Sequence, residues 1–331
     1  MAALRSAEEK LLAVVKSRLR GRYIDIGNSV GNKKCKIWTL SLNEASKCLP
    51  LVMLHGFASG VGLWCMNFDA FASTRPVHAF DILGFGRSSR PSFSSDALEA
   101  EGQMVQSIED WRKAMGLEEF ILMGHSMGGF LAASYAIRFP DRVKHLILAD
   151  PWGFPEKPIN QEKFNIPTWV RVIATVLQPF NPLWGVRAAG PLGPKLVAKI
   201  RPDLIKKFSS IIPNSDEVIP NYIYHCNAQT PSGESAFHAM MAQFGWAKYP
   251  MINRIDSLNK EIPITLIYGS RSWVDQTPGN EIKAKRPDSY VEIQAINGAG
   301  HHVYADRPEN FNHLVNIACD STEHGSLFTT N

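Results

Sequence analysis

A serine set between two glycines constrains the fold of this chain more than any other feature. Residues 124–128 read Gly-His-Ser-Met-Gly and directly follow an apolar run at 120–123. The pattern G-x-S-x-G between a buried strand and a helix is typical of a sharp turn that exposes a nucleophilic serine. Glycines are required there because the turn leaves little room for a Cβ atom. We therefore predict a strand at 120–123, a nucleophile at Ser126 and a helix over 127–139.

Short apolar runs recur along the chain, and helical stretches separate several of them. Near-continuous apolar strands that alternate with helices indicate a parallel sheet covered on both faces. The sequence therefore predicts an α/β fold with a mostly parallel central sheet. The predicted strands are 23–26, 36–40, 51–54, 77–80, 120–123, 145–149, 264–268 and 290–296, and the clearest helices are 103–115, 127–139 and 308–319.

The long region between the strands at 145–149 and 264–268 interrupts this alternation. It is rich in Pro, Trp and Phe, and a structureless loop of that length would be unusual in a compact domain. We therefore expect an inserted helical cap. The predicted organisation is an amphipathic N-terminal helix in 1–22, a core in 23–151 and 258–320, a cap in 152–257 and a flexible tail in 321–331.

The composition narrows the range of partners and compartments. A net charge of +4 over 331 residues is small and argues against nucleic acid as a partner. Five scattered cysteines without metal-ligand spacing favour a reducing compartment. No apolar run approaches the roughly twenty residues of a membrane span. We therefore expect a cytoplasmic protein that meets membranes only peripherally.

Two glycine-rich stretches lack the defining residues of cofactor-binding motifs. Residues 56–62 lack the Gly-Lys-Ser/Thr ending of a phosphate-binding loop, and residues 81–88 do not open a helix with G-x-G-x-x-G. We interpret 81–88 as a buried loop that braces the serine turn. The sequence predicts no metal ion and no cofactor.

A serine nucleophile needs a histidine as general base. His301 directly follows a glycine-rich turn after the strand at 290–296 and precedes a helix, so it is the preferred base. Its neighbour His302 is the alternative. In a chain of this pattern the expected order is serine, then acid, then histidine.

The acid should orient the imidazole and stabilise its charged form. Asp275 is the preferred candidate because it is the only carboxylate in the loop that follows the strand at 264–268. Asp150 ends the preceding strand and is the alternative, although Pro151 directly after it is also compatible with a turn residue.

The oxyanion of an acyl-transfer intermediate needs two backbone N–H donors. Met127 directly follows the nucleophile and is expected to supply one of them. The glycine-rich loop after the strand at 51–54 is expected to supply the other, from Phe57.

With these residues in view, the sequence from about 7 to 320 resembles the α/β-hydrolase-domain subfamily four/five. This group contains N-acylphospholipid lipases and a co-activator of triacylglycerol lipase. The resemblance implies an α/β-hydrolase fold and activity on lipids. The segments that carry it are 54–57, 81–91, 124–130, 150–155, 222–233 and 298–306.

The group has a lipase branch and a co-activator branch, and single residues of this sequence resemble one or the other. Its co-activator branch replaces the elbow serine by asparagine, so Ser126 resembles the lipase branch. Arg271 and Gly300 instead resemble the co-activator branch and imply a possible co-activation surface. The group further shows an H-x4-D pattern, here His301 and Asp306, that is linked to lysophosphatidate acyltransferase activity.

We therefore hypothesise a serine esterase that acts on phospholipids or lysophospholipids. The alternatives are a lipid-droplet co-activator that partners a triacylglycerol lipase, and a lysophosphatidic acid acyltransferase. The group carries a tryptophan-rich N-terminal segment suited to lipid droplets, whereas the first tryptophan of this sequence is Trp38, so we do not expect attachment by that route. Two basic amphipathic stretches could contact membranes or droplets instead: the N-terminal helix and the cap residues 195–208.

Overall fold

The computed structural model describes residues 1–158, 183–242 and 245–325. Within these ranges eight strands form one sheet in the order β1-β2-β4-β3-β5-β6-β7-β8. The pairs β1–β2 and β2–β4 are antiparallel, and the remaining pairs are parallel. The predicted mostly parallel α/β sheet is thus confirmed. The strands are β1 (Leu19–Asp25), β2 (Lys36–Leu42), β3 (Leu51–Leu54), β4 (Val77–Phe80), β5 (Phe120–His125), β6 (Val143–Ala149), β7 (Ile264–Gly269) and β8 (Val291–Ile296).

Helices cover both faces of this sheet. Side chains alternate along each strand, so Val52 and Leu54 of β3 pack with α3 and α4, whereas Leu51 and Met53 pack with α1 and α12. The helices within the described ranges are α1 (Ala2–Leu12), α2 (Phe68–Ala72), α3 (Ala97–Met115), α4 (Met127–Arg138), α5 (Trp184–Ala188), α6 (Gly193–Ile200), α7 (Pro202–Phe208), α8 (Ser215–Asn227), α9 (Gly233–Met240), α10 (Thr277–Lys285), α11 (Val303–Asp306) and α12 (Pro308–Glu323).

The N-terminal helix is shorter than the sequence predicts. Helix α1 ends at Leu12, and the Asp69 carboxylate then accepts hydrogen bonds from the backbone N–H groups of Lys16 at 3.0 Å and Ser17 at 2.8 Å. These bonds turn the chain into β1, which begins at Leu19. The predicted N-terminal helix within 1–22 is thus present as α1, but it ends at Leu12 and the last residues of this segment belong to β1.

The apolar face of α1 is used inside the molecule. Leu4, Ala7 and Leu11 are buried in the core on one side of the sheet. Because this face is covered, the buried apolar residues of α1 stabilise the core, and membrane contact by the N-terminal helix stays a prediction.

A buried ion pair holds α1 against the sheet. Glu8 on α1 accepts hydrogen bonds from Arg87 Nη1 at 2.6 Å and from Trp38 Nε1 at 2.9 Å. The Arg87 guanidinium also lies 3.5 Å from the centre of the Trp38 ring. Since Arg87 belongs to the loop after β4, this contact joins the N-terminal helix to that loop.

Replacing Arg87 by methionine is expected to destabilise the fold by about 3 kcal/mol, because it leaves the Glu8 carboxyl buried without its counter-charge. The urea midpoint of unfolding measures this loss. The matched control is Arg5→Met, which removes an exposed pair with Glu9 and should cost no more than about 0.5 kcal/mol. The double variant Glu8→Gln/Arg87→Met should recover part of the loss. Equal effects of Arg87→Met and Arg5→Met would contradict this role.

Helices α5 to α9 lie between β6 and β7, within the segment predicted to be a cap. Helices α6 and α7 pack on α8, while α8 also packs on α1 and α9 packs on α3. The cap helices are therefore attached to the core on both sides. Residues 159–182 and 243–244 of the predicted cap lie outside the described residues.

The C-terminal helix extends beyond the predicted start of the flexible tail. Helix α12 continues to Glu323, so the predicted flexible tail does not begin at 321. Thr322 explains part of this extension, because its hydroxyl lies 2.6 Å from Nδ1 of the buried His145. Residues 326–331 of the predicted tail lie outside the described residues.

Candidate active site

The turn from β5 to α4 holds Ser126 in a strained backbone conformation. The φ angle of Ser126 is +53°, a region that residues with a side chain rarely adopt. A Cβ at Gly124 would lie 2.2 Å from the carbonyl oxygen of Gly128, and one at Gly128 would lie 2.5 Å from that of His55. Both glycines are therefore required by close backbone contacts, as the sequence pattern predicts.

Ser126, His301 and Asp150 form a continuous chain of hydrogen bonds. The Ser126 Oγ lies 3.0 Å from His301 Nε2, and His301 Nδ1 lies 2.6 Å from Asp150 Oδ2. With the imidazole proton on Nδ1, the ring donates to the carboxylate and accepts from the serine hydroxyl. This is the arrangement that activates a serine nucleophile.

Asp150 is completely buried at the end of β6. Its Oδ1 accepts a hydrogen bond from the backbone N–H of Gly269 at 3.1 Å, and its Oδ2 also accepts one from the Ser272 hydroxyl. Gly269 is the last residue of β7, the neighbouring strand of the sheet, and Ser272 follows that strand. The carboxylate is thus fixed by its own strand and by the next one, with one oxygen directed at His301.

The preferred acid of the sequence analysis does not take part in this chain. Asp275 is exposed, and its Oδ1 accepts hydrogen bonds from the backbone N–H and the hydroxyl of Thr277 at the start of α10. The choice of Asp275 is therefore corrected to Asp150. The carboxyl ends of β6 and β7 are adjacent in a parallel sheet, so a carboxylate after either strand could reach His301.

A further histidine, His125, contacts the loop that carries the base. His125 is buried, and its Nε2 donates a hydrogen bond to the carbonyl oxygen of His301 at 2.8 Å. Burial lowers the pKa of His125 well below its usual range, and the neighbouring His301 lowers it further. A neutral His125 thus joins the serine turn to the histidine loop, a role the sequence analysis did not consider.

The loop that carries Phe57 lies directly beside Ser126. A Cβ at Gly56 would lie 3.1 Å from the Cβ of Ser126. The His55 ring fixes this loop, because Nδ1 donates to the Gly56 carbonyl oxygen at 2.8 Å and Nε2 accepts from the Ile82 N–H at 3.0 Å. The roles of Phe57 and Met127 as oxyanion donors stay a prediction.

The loop 81–88 contacts the Phe57 loop through a buried carboxylate. Asp81 accepts hydrogen bonds from the backbone N–H groups of Val61 at 2.9 Å and Arg87 at 2.7 Å. Burial raises the pKa of Asp81, while the nearby His55 lowers it. These contacts are those of a bracing loop.

Asp306, the acid of the H-x4-D pattern, contacts neither nitrogen of His301. Its carboxylate accepts hydrogen bonds from the Gly300 N–H at 2.8 Å and from Lys207 Nζ at 3.0 Å. Asp306 therefore joins the histidine loop to cap helix α7. Gly300 and Arg271 lie on adjacent loops, since the Arg271 N–H donates to the carbonyl oxygen of Ala299 at 2.8 Å.

The site opens into a cavity of about 830 Å³ between the core and the cap helices. One side is aromatic, because Phe57 stacks on Phe237 at 4.5 Å between ring centres and Phe237 contacts Trp152 at 4.6 Å. Trp273 stands near the entrance with 70% of its surface exposed and its ring centre 4.8 Å from that of His301. The aliphatic lining consists of Leu63, Leu183, Val186, Val197, Ile200, Leu204 and Ile223.

Within residues 1–158, 183–242 and 245–325, no three His, Cys, Asp or Glu side chains are arranged to hold a metal ion. No helix in the same ranges combines the length and apolar character needed to cross a bilayer.

The geometry defines a serine hydrolase of the α/β class, and the comparisons with known proteins agree. Residues 50–308 match the family model described as alpha/beta hydrolase fold, and the chain belongs to this family. The resemblance found in the sequence is also confirmed. A human (lyso)-N-acylphosphatidylethanolamine lipase is 50% identical over 325 residues, which cover 98% of this chain and 93% of that protein.

A second relative at similar distance carries a different name. The 1-acylglycerol-3-phosphate O-acyltransferase ABHD5 of Sus scrofa is 52% identical over 322 residues, which cover 97% of this chain and 90% of that protein. Among solved structures, naproxen esterase from Bacillus subtilis aligns with a TM-score of 0.64 at 17% identity over 96% of each chain, a likeness in fold.

Proposed function

We propose that this protein is a serine hydrolase that cleaves acyl esters of phospholipids or lysophospholipids, with N-acylphosphatidylethanolamine and its lyso form as first candidates. The observation that carries the proposal is the chain Ser126–His301–Asp150 at the floor of an apolar cavity. The substrate candidates come from the name of the human relative at 50% identity.

The proposed reaction uses groups already in contact. His301 accepts the hydroxyl proton of Ser126 as Oγ attacks the ester carbonyl, and the imidazolium is stabilised by Asp150. The N–H groups of Phe57 and Met127 would donate to the developing oxyanion. His301 then protonates the departing alcohol, and water releases the fatty acid from the acyl-enzyme.

The lining of the cavity supports an acyl chain as ligand. Aromatic and aliphatic side chains dominate the walls near Ser126, and burial of a chain there would contribute about 0.8 kcal/mol for each methylene removed from water. A polar ester without a long chain would gain none of this energy.

Attachment to a lipid surface is supported by the cap. Leu192 directly before helix α6 and Ile200 at its last position are 63% and 54% exposed, and Lys195 and Lys199 of the same helix are also exposed. Such a surface gains apolar contact and about 1 kcal/mol for each cation near anionic lipid. We propose that α6 and Trp273 face the membrane or droplet from which substrate enters.

The direct test is release of fatty acid from a lipid panel by the purified wild-type protein. The panel contains N-acylphosphatidylethanolamine, its lyso form, phosphatidylcholine and triacylglycerol, and mass spectrometry identifies the products. We expect free fatty acid and the matching deacylated phospholipid. Absence of acyl release from every phospholipid, by protein that still reacts with a fluorophosphonate, would overturn the proposed substrate class.

An acyltransferase activity is the second candidate, favoured by the name of the Sus scrofa relative. Against it, the Asp306 carboxylate bonds Gly300 and Lys207 rather than His301, and this does not favour His301 and Asp306 as a catalytic pair. Formation of phosphatidate from lysophosphatidate and acyl-CoA by the pure protein would establish this activity.

A co-activator role remains compatible with the surface beside the site. Arg271 is exposed on the loop next to Gly300, where a triacylglycerol lipase could bind. Stimulation of a purified lipase that survives Ser126→Ala would support this role, because binding would not require the nucleophile.

A further inference from the structure

Two cations line the same cavity as Ser126. Arg201 lies directly before helix α7, and Lys207 lies near the end of that helix. Arg201 Nε and Nη2 each donate to Asp203 at 2.9 Å, and Lys207 Nζ lies 2.9 Å from Asp306 Oδ1. These carboxylates hold the two cations in place. We call Arg201 and Lys207 the cationic rim.

One nitrogen of the cationic rim can still donate hydrogen bonds to a ligand. Among the residues that the structure describes, Arg201 Nη1 has no acceptor, and 40% of the Arg201 side chain is exposed. Asp203 lines the cavity with the rim, whereas Asp306 does not belong to the described lining. Each cation of the rim is paired with one carboxylate, so Arg201 Nη1 is the donor of the rim that the described contacts leave available to a ligand.

Lys207 is connected to the reacting residues through the histidine loop. Lys207 bonds Asp306, and the same carboxylate accepts the N–H of Gly300 at 2.8 Å. The next residue is His301, which bonds Ser126 at 3.0 Å. This chain of contacts joins Lys207 to the nucleophile, and both cations of the rim line the cavity that Ser126 lines.

We propose that the cationic rim binds the phosphate group of a glycerophospholipid whose ester carbonyl lies at Ser126. The phosphate of such a lipid is joined to the ester by one glycerol unit, so both groups can lie in the one cavity that Ser126, Arg201 and Lys207 line. Guanidinium groups bind phosphate oxygens through directed, charge-assisted hydrogen bonds. The inference rests on the proposed function and adds a reason why a phospholipid is preferred to a neutral glyceride.

The test compares two monomeric substrates with the same short acyl chain, a lysophosphatidate and a monoacylglycerol, in the absence of vesicles. We expect Arg201→Gln to lower the ratio of their kcat/KM values about tenfold, chiefly through the KM of the anionic substrate. Arg201→Lys should restore much of the ratio because it retains the charge. Lys248→Gln is the matched control, since it removes an exposed cap cation that is not in the described cavity lining.

The possible results separate three explanations. An equal loss on both substrates in Arg201→Gln would mean that Arg201 only supports the cap, and it would overturn the phosphate site. The same assay is repeated with anionic vesicles added: a ratio that is unchanged by Arg201→Gln without vesicles and falls only with them would assign the charge to membrane attraction and would also overturn the phosphate site. Failure of wild type on both substrates would instead count against the proposed function.

Discussion

Ser126→Ala is expected to abolish ester hydrolysis and labelling by a fluorophosphonate probe. The probe reacts when Oγ attacks phosphorus and fluoride leaves, so it requires the same activated hydroxyl as the ester reaction. Removing a nucleophile of this kind lowers kcat by roughly 10⁵-fold or more. Gel fluorescence after labelling and fatty acid release measure the two losses in parallel.

The control for this experiment is another serine outside the cavity. Ser73→Ala removes an exposed hydroxyl that bonds the carbonyl oxygen of Ala70, and it should leave labelling and hydrolysis near the wild-type level. Urea midpoints of unfolding equal to that of the wild type in both variants would show that the fold is intact. Labelling that persists in Ser126→Ala would disprove the assignment of the nucleophile.

The sheet and the serine turn were predictable because their signals are local. The run at 120–123 is apolar at every position, and β5 is buried along its whole length. The glycines beside Ser126 are required by contacts within the same turn. A pattern of this kind is complete within a few residues, so the sequence alone identifies it.

The N-terminal boundary was not predictable from such signals. Basic residues at 16, 18 and 20 follow early glutamates, which suits a long helix with a complementary dipole. The observed end depends on Asp69, more than fifty positions away, which binds the N–H groups of Lys16 and Ser17. Pairing of Leu19 with Leu42 then extends the sheet. Tertiary contacts overrode the local preference.

The prediction of Asp275 as the catalytic acid was wrong for a related reason. Strands β6 and β7 are neighbours, and their carboxyl ends meet at the same edge of the sheet. Chain order therefore permits Asp150 or Asp275, and only the fold decides between them. One local signal did favour Asp150: it directly follows a buried strand, whereas Asp275 lies several residues beyond the end of β7.

Asp150→Asn is expected to lower kcat by roughly 10³-fold or more while the fold is retained. The N–H of Gly269 donates to Oδ1, so the amide oxygen should occupy that position. The amide nitrogen then faces His301 Nδ1 and donates to it. His301 would carry its proton on Nε2 and could no longer accept the proton of Ser126.

The matched control Asp275→Asn separates this explanation from a general effect of lost charge. Asp275 is exposed and only caps α10 through Thr277, so its kcat should stay within about threefold of wild type. A large loss in Asp275→Asn with a small loss in Asp150→Asn would reverse the assignment. The double variant Ser126→Ala/Asp150→Asn tests whether the residues act as a unit. Since the carboxylate acts through His301 on the serine, adding Asp150→Asn should reduce the residual rate of Ser126→Ala little further.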